Sequence, residues 1–281
     1  MNNFELFKLK KAGLNNRQIN HVLNYQKSYD KSLSIRDIAV ISRCKQPSMF
    51  IHNYRNLVIS EIKEEFLRYQ CISILDKNYP IELSRIYNPP VLLFYQGDIA
   101  LLEGIKLAFV GARDASQVGI ASVQKIIKDL GNQFTIVSGL ARGIDTAAHL
   151  SCLKNGGKTI AVIGTGLNCY YPKENKELQE YISKNHLLLS EYLPDTPPLK
   201  FHFPERNRII AGLSQGIVVC DAKKRSGSLI TCERALEEGR EVFAIPGNIL
   251  DGKSDGCHYL ISEGAKCIST GHDILSEFQL L

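Results

Sequence analysis

Residues 134–166 read FTIVSGLARGIDTAAHLSCLKNGGKTIAVIGTG, and their pattern changes twice. A short β-branched run comes first, an amphipathic helical pattern follows, and a second apolar run ends at Gly164-Thr165-Gly166. Continuous apolar strands separated by helices are typical of a parallel sheet that is covered on both faces. The segment therefore predicts one β-α-β unit of an α/β protein.

The same alternation extends from residue 106 to the end of the chain at 281. Six apolar runs occur in order, namely LAFVGA, FTIVSG, TIAVIGTG, HLLLSEY, GIVVCDA and EVFAIPG, and helical patterns lie between most of them. We predict a Rossmann-like, doubly wound and mostly parallel sheet of at least six strands. Ligands of such sheets bind beyond the carboxyl ends of the strands.

The N-terminal part of the chain has a different pattern. Residues 1–66 contain short helical patterns without strands, with Ser34 as a candidate N-cap and Pro47 in a first helical turn. They predict a small all-α domain with a basic surface. Residues 67–105 predict a connector in which two β-like runs, CISIL and VLLFYQG, flank a short helix.

Composition limits the class of protein. The 281 residues are 44% hydrophobic and 22% charged, with a net charge of +5, as expected of a globular chain. The first residues contain no apolar signal-peptide core, so we expect a cytoplasmic protein with no membrane segment. The eight cysteines form no C-x-x-C pair, which favours reduced, buried thiols and no metal site.

The loops after the predicted strands combine glycine with basic or hydroxyl side chains. Glycine lets a ligand approach backbone N–H groups, and helix N-termini favour anions. Several such loops at one edge of a sheet predict a phosphate-binding site. The candidates from these loops are Gly111, Arg113, Ser138, Gly139, Arg142, Gly143, Gly164, Gly166 and Lys173, with Lys223 to Arg225 as a further basic cluster.

The identity of the phosphate ligand stays open at this point. The first loop, GARDAS, lacks the G-x-G-x-x-G of a dinucleotide site, and no G-x-x-x-x-G-K-[ST] is present. Asp145 and His149 share a helix face and could form a catalytic pair of a nucleotide-processing enzyme. A carboxylate in a first helical turn more often satisfies free N–H groups, so we favour a structural role for Asp145.

Residues 200–216, KFHFPERNRIIAGLSQG, interleave aromatic and basic side chains. Rings that stack on bases, beside cations that contact phosphates, suit single-stranded nucleic acid. The pattern is equally compatible with a loop that phenylalanines anchor to the core. Phe203, Arg206 and Arg208 are the candidates from this segment.

Several ordered motifs resemble the DNA-processing protein A (DprA or Smf) family of bacterial recombination mediators. The matching motifs are VGAR at 110–113, SGLARGID-AAH at 138–149, AVIGTGL with YP-K at 161–173, FPERNRIIAGLS at 203–214, SGSLIT-ERALEEGREVFAIPG at 226–247 and SDGCHYLISEGA at 254–265. The resemblance covers the chain from about residue 106 onward. It implies a sterile-alpha-motif-like helical domain followed by an extended Rossmann domain.

The resemblance also implies a function without catalysis and without a cofactor. Members of the family bind single-stranded DNA, protect it and load the RecA recombinase during natural transformation of competent bacteria, acting as homodimers. The implied DNA site combines the strand-end candidates with Phe203, Arg206 and Arg208. The implied dimer contact lies near the C-terminus, at His258, Ile261, Cys267 and Ile268.

Overall fold

A computed structural model describes residues 1–224, 226–237 and 239–280. The chain divides into two compact units, Met1–Phe94 and Tyr95–Leu281. This division falls inside the predicted connector at 67–105, because the first strand and the short helix of that connector pack with the helical unit. Across the described residues, no helix combines the length and the apolar character that crossing a bilayer requires.

The first unit is mainly helical. Five helices precede a short strand and a one-turn helix, and a second strand runs across the division between the units. These elements are α1 (Asn3–Lys11), α2 (Asn16–Tyr29), α3 (Ile35–Ile41), α4 (Pro47–Arg55), α5 (Ile59–Leu67), β1 (Gln70–Ser73), α6 (Ile81–Ser84) and β2 (Leu92–Gly97).

Local sequence explains where these helices begin. Asn2, Asn15 and Ser34 each accept a hydrogen bond from the third helical N–H, and the side chain at that third position accepts one from the backbone N–H of the cap. Pro47 occupies the first turn of α4, where its missing N–H leaves no bond unmade. The predicted cap at Ser34 and the predicted place of Pro47 are both confirmed.

A buried asparagine ties α2 to the loop before β2. The side-chain amide of Asn16 donates to the Asn88 side chain (2.9 Å) and to the Pro89 carbonyl (2.6 Å), and its oxygen accepts from the Val91 N–H (2.7 Å). Asn16 is 9% exposed. The loop contains two prolines and cannot form a helix, so this side chain supplies bonds that regular structure cannot.

The second unit contains a parallel sheet of seven strands. Across the sheet their order is β6-β5-β4-β3-β7-β8-β9, so the chain reverses its direction of winding between β3 and β7. Each neighbouring pair is parallel. The strands are β3 (Lys106–Gly111), β4 (Thr135–Ser138), β5 (Thr159–Ile163), β6 (Leu187–Ser190), β7 (Gly216–Cys220), β8 (Glu241–Ala244) and β9 (Lys266–Cys267).

Helices cover this sheet on both faces. Apolar residues of α7, α8 and α13 pack with β3, β4, β7 and β8 in one buried cluster, and α10 and α11 pack on each other and on the strands. The helices are α7 (Gln117–Leu130), α8 (Ile144–Lys154), α9 (Lys176–Asn185), α10 (His202–Leu213), α11 (Gly227–Glu237), α12 (Asp255–Ser262) and α13 (Gly271–Glu277), with short 3-10 helices at Ile99–Leu102 and Lys173–Asn175.

The predicted fold class is confirmed. All six predicted strands form, and they are parallel as their continuous apolar character indicates. The sequence did not predict β9, α12 or α13, because β9 has only two residues and the two helices are short. Helix α10 starts at His202, three residues before the predicted ERNR pattern, so Phe203 belongs to a helix.

We expect Asn16→Ala to lower the free energy of unfolding of the helical unit by about 2–3 kcal/mol, because it leaves buried loop groups without partners. Denaturant unfolding followed by circular dichroism measures this effect. Asn24→Ala is the matched control, since Asn24 is exposed on the same helix and should change stability by about 0.5 kcal/mol or less. Equal losses in the two variants would contradict the role of Asn16.

Candidate nucleic-acid interface

The carboxyl ends of β3, β4, β5 and β7 lie side by side, because these parallel strands are neighbours. The residues that follow them form one edge, which we call the strand-end rim (residues 111–115, 139–143, 164–173 and 221–224). Three cavities open along the rim, and Arg113 lines all three. One is a cleft of about 410 Å³ between the ends of β3 and β7, where the winding reverses. Doubly wound sheets bind ligands at this position.

The exposed Arg113 of the rim lies beside the half-buried Phe203 ring of α10. The guanidinium carbon of Arg113 lies 5.5 Å from the centroid of the Phe203 ring. The Tyr171 ring contacts the same ring, with centroids 5.1 Å apart and planes at 39°. Gly164 permits this packing, since a Cβ there would lie 2.9 Å from the ring. A cation beside two rings suits a phosphate next to an unstacked base.

Arg206 lies beneath the rim. It is 4% exposed, and its Nη1 donates to the carbonyls of Gly139 (2.5 Å) and Val162. A Cβ on Gly139 would overlap the guanidinium, which explains why this position is glycine. The sequence predicts a phosphate contact for Arg206. The structure corrects this role, because its donors are engaged inside the protein and hold two strand ends together.

Asp145 occupies the place where the sequence predicts a phosphate on the loop after β4. Its carboxylate accepts hydrogen bonds from the N–H groups of Ala141 (3.2 Å) and Gly139. Burial raises the pKa of Asp145, and the charge of Arg206 and these N–H donors oppose that rise. Burial likewise lowers the pKa of Arg206 to about 10, and Asp145 opposes that change. The two buried groups thus stabilise each other's charged forms.

Asp221 plays a similar part at the end of β7. Its carboxylate accepts from the Ser116 N–H at 2.6 Å, and the Ser116 hydroxyl accepts from the Gly119 N–H at 2.9 Å. Asp221 itself has a left-handed backbone conformation, with φ of 49°. The Asp221 carboxylate and the Ser116 hydroxyl therefore accept from the free N–H groups at the start of α7. The predicted phosphate cradle of backbone amides is corrected on this point, because carboxylates of the protein already occupy several of these amides.

The cations that face solvent at the rim are the remaining candidates for phosphate contacts. Arg113 and Lys173 are exposed. The Nε of Arg142 lies 3.2 Å from Glu174 Oε1, and both side chains are more than half exposed, so the pair is weak. Lys200 and Lys223 are exposed and line the 410 Å³ cleft. The predicted basic cluster continues to Arg225, which lies outside the described residues.

Two other residues that the sequence predicts to contact DNA, Ser138 and Arg208, form hydrogen bonds within the protein. The Ser138 hydroxyl is fully buried and donates to the Phe109 carbonyl at 2.7 Å, so it links two strands. Arg208 points to a different side of α10 and pairs with Glu191, which is 5% exposed. Both side chains support the fold beside the rim; Arg208 is partly exposed, and the DNA contacts at both positions stay predictions.

The glycines of the rim differ in what they permit. Gly143 has φ of +74° and lies against the Ala112 carbonyl. Any other residue would therefore have both an unfavourable backbone conformation and a steric clash there. Gly111 lines the cleft at the end of β3. Gly166 is buried, and its N–H donates to the Thr196 carbonyl at 2.9 Å, which assigns it to loop structure.

The surroundings of His149 do not suit an acid–base role. It is fully buried in α8, and its Nδ1 lies 2.7 Å from the Thr159 hydroxyl, which itself donates to the Ile136 carbonyl. Nδ1 therefore carries the proton, and the ring is neutral. Burial lowers the pKa of His149 to about 3. These contacts favour the structural interpretation of the Asp145 and His149 pair.

Thiol and metal chemistry find little support at the rim. Burial raises the pKa of Cys152 to about 12 and that of Cys257 to about 11, so both stay protonated at neutral pH. Within residues 1–224, 226–237 and 239–280, no group of three or more His, Cys, Asp or Glu side chains is arranged to hold a metal ion.

Sequence reasoning missed Tyr171 as a site residue. Tyr171 is 38% exposed beside the half-buried Phe203. Its position in the strand-end loop just before Lys173 was the available signal. The sequence favoured Asp145 as a partner of free N–H groups, but it did not predict that Asp221 fills an anion position, because the Ser116 N–H that donates to it is 105 residues away.

The residues predicted for a dimer contact fall into two groups. His258 and Ile261 lie on α12 and are partly exposed, and Cys267 is exposed on β9, the last strand at one end of the sheet. Ile268 is 1% exposed and belongs to the apolar cluster under α7 and α13. It is unavailable to a partner, and its predicted role is corrected to core packing.

We expect Arg206→Met to lower the free energy of unfolding by about 3 kcal/mol or more, since it leaves Asp145 and two carbonyls without their buried partner. Denaturant unfolding measures the change. Arg142→Met, an exposed arginine on the same rim, serves as control and should cost about 0.5 kcal/mol or less. A small effect of Arg206→Met would contradict its role in joining the strand ends.

We expect the free energy of unfolding to decrease as the pH is lowered below 6.5, the ordinary pKa of His. In that range His149 is protonated in the unfolded chain but not in the folded protein. This group alone accounts for up to about 1.4 kcal/mol per pH unit. Unfolding free energies between about pH 7 and about pH 5 test it. His149→Asn keeps a donor near Thr159 without a titrating ring, so its pH slope should be shallower, and an unchanged slope would contradict the assignment.

The whole chain matches known proteins. Residues 70–279 match the family model of DNA recombination-mediator protein A, and residues 1–62 match the sterile alpha motif domain of DNA processing protein A. DNA processing protein DprA of Streptococcus pneumoniae is 58% identical over 99% of this chain and 98% of its own length. DprA of Bacillus subtilis is 47% identical over 73% of this chain and 70% of its own length.

Solved structures agree with these sequence matches. The X-ray structure of DNA processing protein A from Streptococcus pneumoniae has a TM-score of 0.96 and covers 99% of this chain and 98% of its own. DNA processing protein A from Helicobacter pylori, whose structure was solved to explain its single-stranded DNA binding mode, has a TM-score of 0.68 at 30% identity, covering 75% of this chain and 96% of its own. The chain belongs to the DNA recombination-mediator protein A family.

Proposed function

We propose that this protein binds single-stranded DNA along the strand-end rim, without catalysis. The observation that carries the proposal is the exposed Arg113 guanidinium beside the Phe203 and Tyr171 rings, at the point where three cavities meet. Rings accept unstacked bases of any sequence, and the cation contacts the adjoining phosphate. The single-stranded DNA binding of the Helicobacter pylori relative supports this proposal.

Side chains, and not backbone amides, contact the phosphates in this proposal. Arg113, Arg142 and Lys173 are exposed around the aromatic pair, while the amides of the loop after β4 already donate to Asp145. Phosphate contacts of this kind release counterions and make the affinity strongly dependent on salt. Double-stranded DNA should bind less tightly, because its paired bases are not free to stack on the rings.

The finer parts of the function follow from family membership. We infer that the protein protects incoming single strands during natural transformation and loads RecA on them, in the cytoplasm. We also infer a homodimer whose contact includes His258, Ile261 and Cys267, the partly or fully exposed members of the predicted set. Tyr259, which is exposed on α12, directly follows His258 in sequence and is part of the same proposed surface.

We expect Arg113→Ala with Lys173→Ala to weaken single-stranded oligonucleotide binding on the order of tenfold or more, with little dependence on base sequence. The loss of two phosphate contacts should also reduce the slope of log affinity against log salt by about 1.4. Fluorescence anisotropy titrations at several salt concentrations measure both quantities.

The matched control is Lys128→Ala with Lys154→Ala. These lysines are exposed in the last turns of α7 and α8, at the opposite edge of the sheet, so the net charge changes equally while the rim stays intact. Equal losses in the two double variants would mean that overall charge, and not the rim, binds DNA. Turnover of a nucleotide that Asp145→Asn abolishes would instead favour an enzyme.

A further inference from the structure

A second cavity on the rim lies beside the small cavity lined by Phe203 and Tyr171, which we call the aromatic pocket. It is a groove of about 430 Å³ between the N-terminal halves of α7 and α8, which we call the α7/α8 groove. Its lining includes the apolar residues Ala115, Ile120, Ala147 and Leu150 together with Arg113 and Arg142.

The lining of the α7/α8 groove leaves apolar surface facing water. Leu150 is 52% exposed although it lies in the middle of a helix that otherwise packs on the sheet. The polar groups along the wall bond to one another: the Asn175 amide donates to the Thr146 hydroxyl (2.8 Å) and to the Leu140 carbonyl (2.9 Å), and Thr146 donates to the Ala141 carbonyl (2.6 Å). The Asn175 and Thr146 side chains are thus engaged within the protein, and the groove offers a ligand apolar surface together with the side chains of Asp114 and Gln124.

The two arginines connect this groove to the aromatic pocket. Arg113 and Arg142 both line the small cavity that contains Phe203 and Tyr171, and both line the α7/α8 groove. The Glu174 carboxylate that pairs with Arg142 is 53% exposed, so a phosphate can replace it at little cost. A ligand that passes from one cavity to the other would place negative charge between the two guanidinium groups.

We propose that the α7/α8 groove takes a second nucleobase of the same DNA strand, next along from the base at Phe203 and Tyr171. The intervening phosphate lies between Arg113 and Arg142. The positive charge of the two arginines favours a polyanion over an apolar protein segment, and the groove is continuous with the proposed DNA site. Asp114 and Gln124 on the wall can hydrogen-bond to base edges. This inference rests on the proposed single-stranded DNA binding.

The test compares Leu150→Asn with Leu67→Asn in the full-length protein. Both residues are exposed helical leucines, and Leu67, on α5 of the helical unit, is 71% exposed. We expect Leu150→Asn to weaken binding of an ordinary oligonucleotide by about three- to tenfold, as the loss of one base contact implies. On an oligonucleotide of abasic sugar-phosphate, Leu150→Asn and the native protein should bind equally, because no base is present to occupy the groove.

Phe203→Ala separates the two proposals. If Phe203→Ala weakens binding while Leu150→Asn binds both strands as the native protein does, the groove is not a base site and the proposed function stands. If Leu150→Asn weakens binding of the abasic strand as much as that of the ordinary one, the base contact is likewise refuted. Failure of the native protein to bind single strands would overturn both proposals, and thermal unfolding confirms that each variant is folded.

Discussion

The strand-end rim depends on the buried guanidinium of Arg206. It donates to carbonyls at the ends of β4 and β5, and its charge stabilises the ionised form of Asp145, which in turn accepts the N–H groups of the glycine loop. Gly139 leaves the space that the guanidinium fills. Because a buried charge is tolerated only with partners, these groups fix one another and hold neighbouring loops at a single separation.

The hydrogen bonds that Asp145 and Asp221 accept from backbone amides limit which groups of the rim are free to bind a ligand. Helix N-termini and glycine loops of α/β proteins commonly hold phosphate through backbone amides. Here the carboxylates of Asp145 and Asp221 accept from such amides, so the proposed DNA site consists of exposed cations and rings. A site of that kind is tolerant of sequence and sensitive to salt, which suits a protein that must follow a strand of any composition.

Helix α10 shows how one segment serves several roles. Phe203 and Arg206 are three residues apart and lie on the side of the helix that faces the strand ends, one at the rim and one below it. Arg208 is two residues further, about 200° around the helix, and pairs with Glu191. The sequence FHFPERNR shows interleaved rings and cations, and the helical period assigns each of them to solvent, to the interior or to a neighbouring loop.

Sequence alone determined the strands, most of the helices, the parallel sheet and the edge at which its loops gather, because apolar periodicity and capping residues act over a few positions. It also placed Arg113 and Lys173 at that edge, whereas Phe203 was joined to them only by the resemblance to the family. Only the tertiary structure decided which cations face solvent. The carbonyl partners of Arg206 lie 67 and 44 residues away and the carboxylate partner of Arg208 lies 17 away, and no local pattern encodes such distances. The direction in which a long side chain points depends on partners that are distant in sequence, and only folding brings those partners within hydrogen-bonding distance.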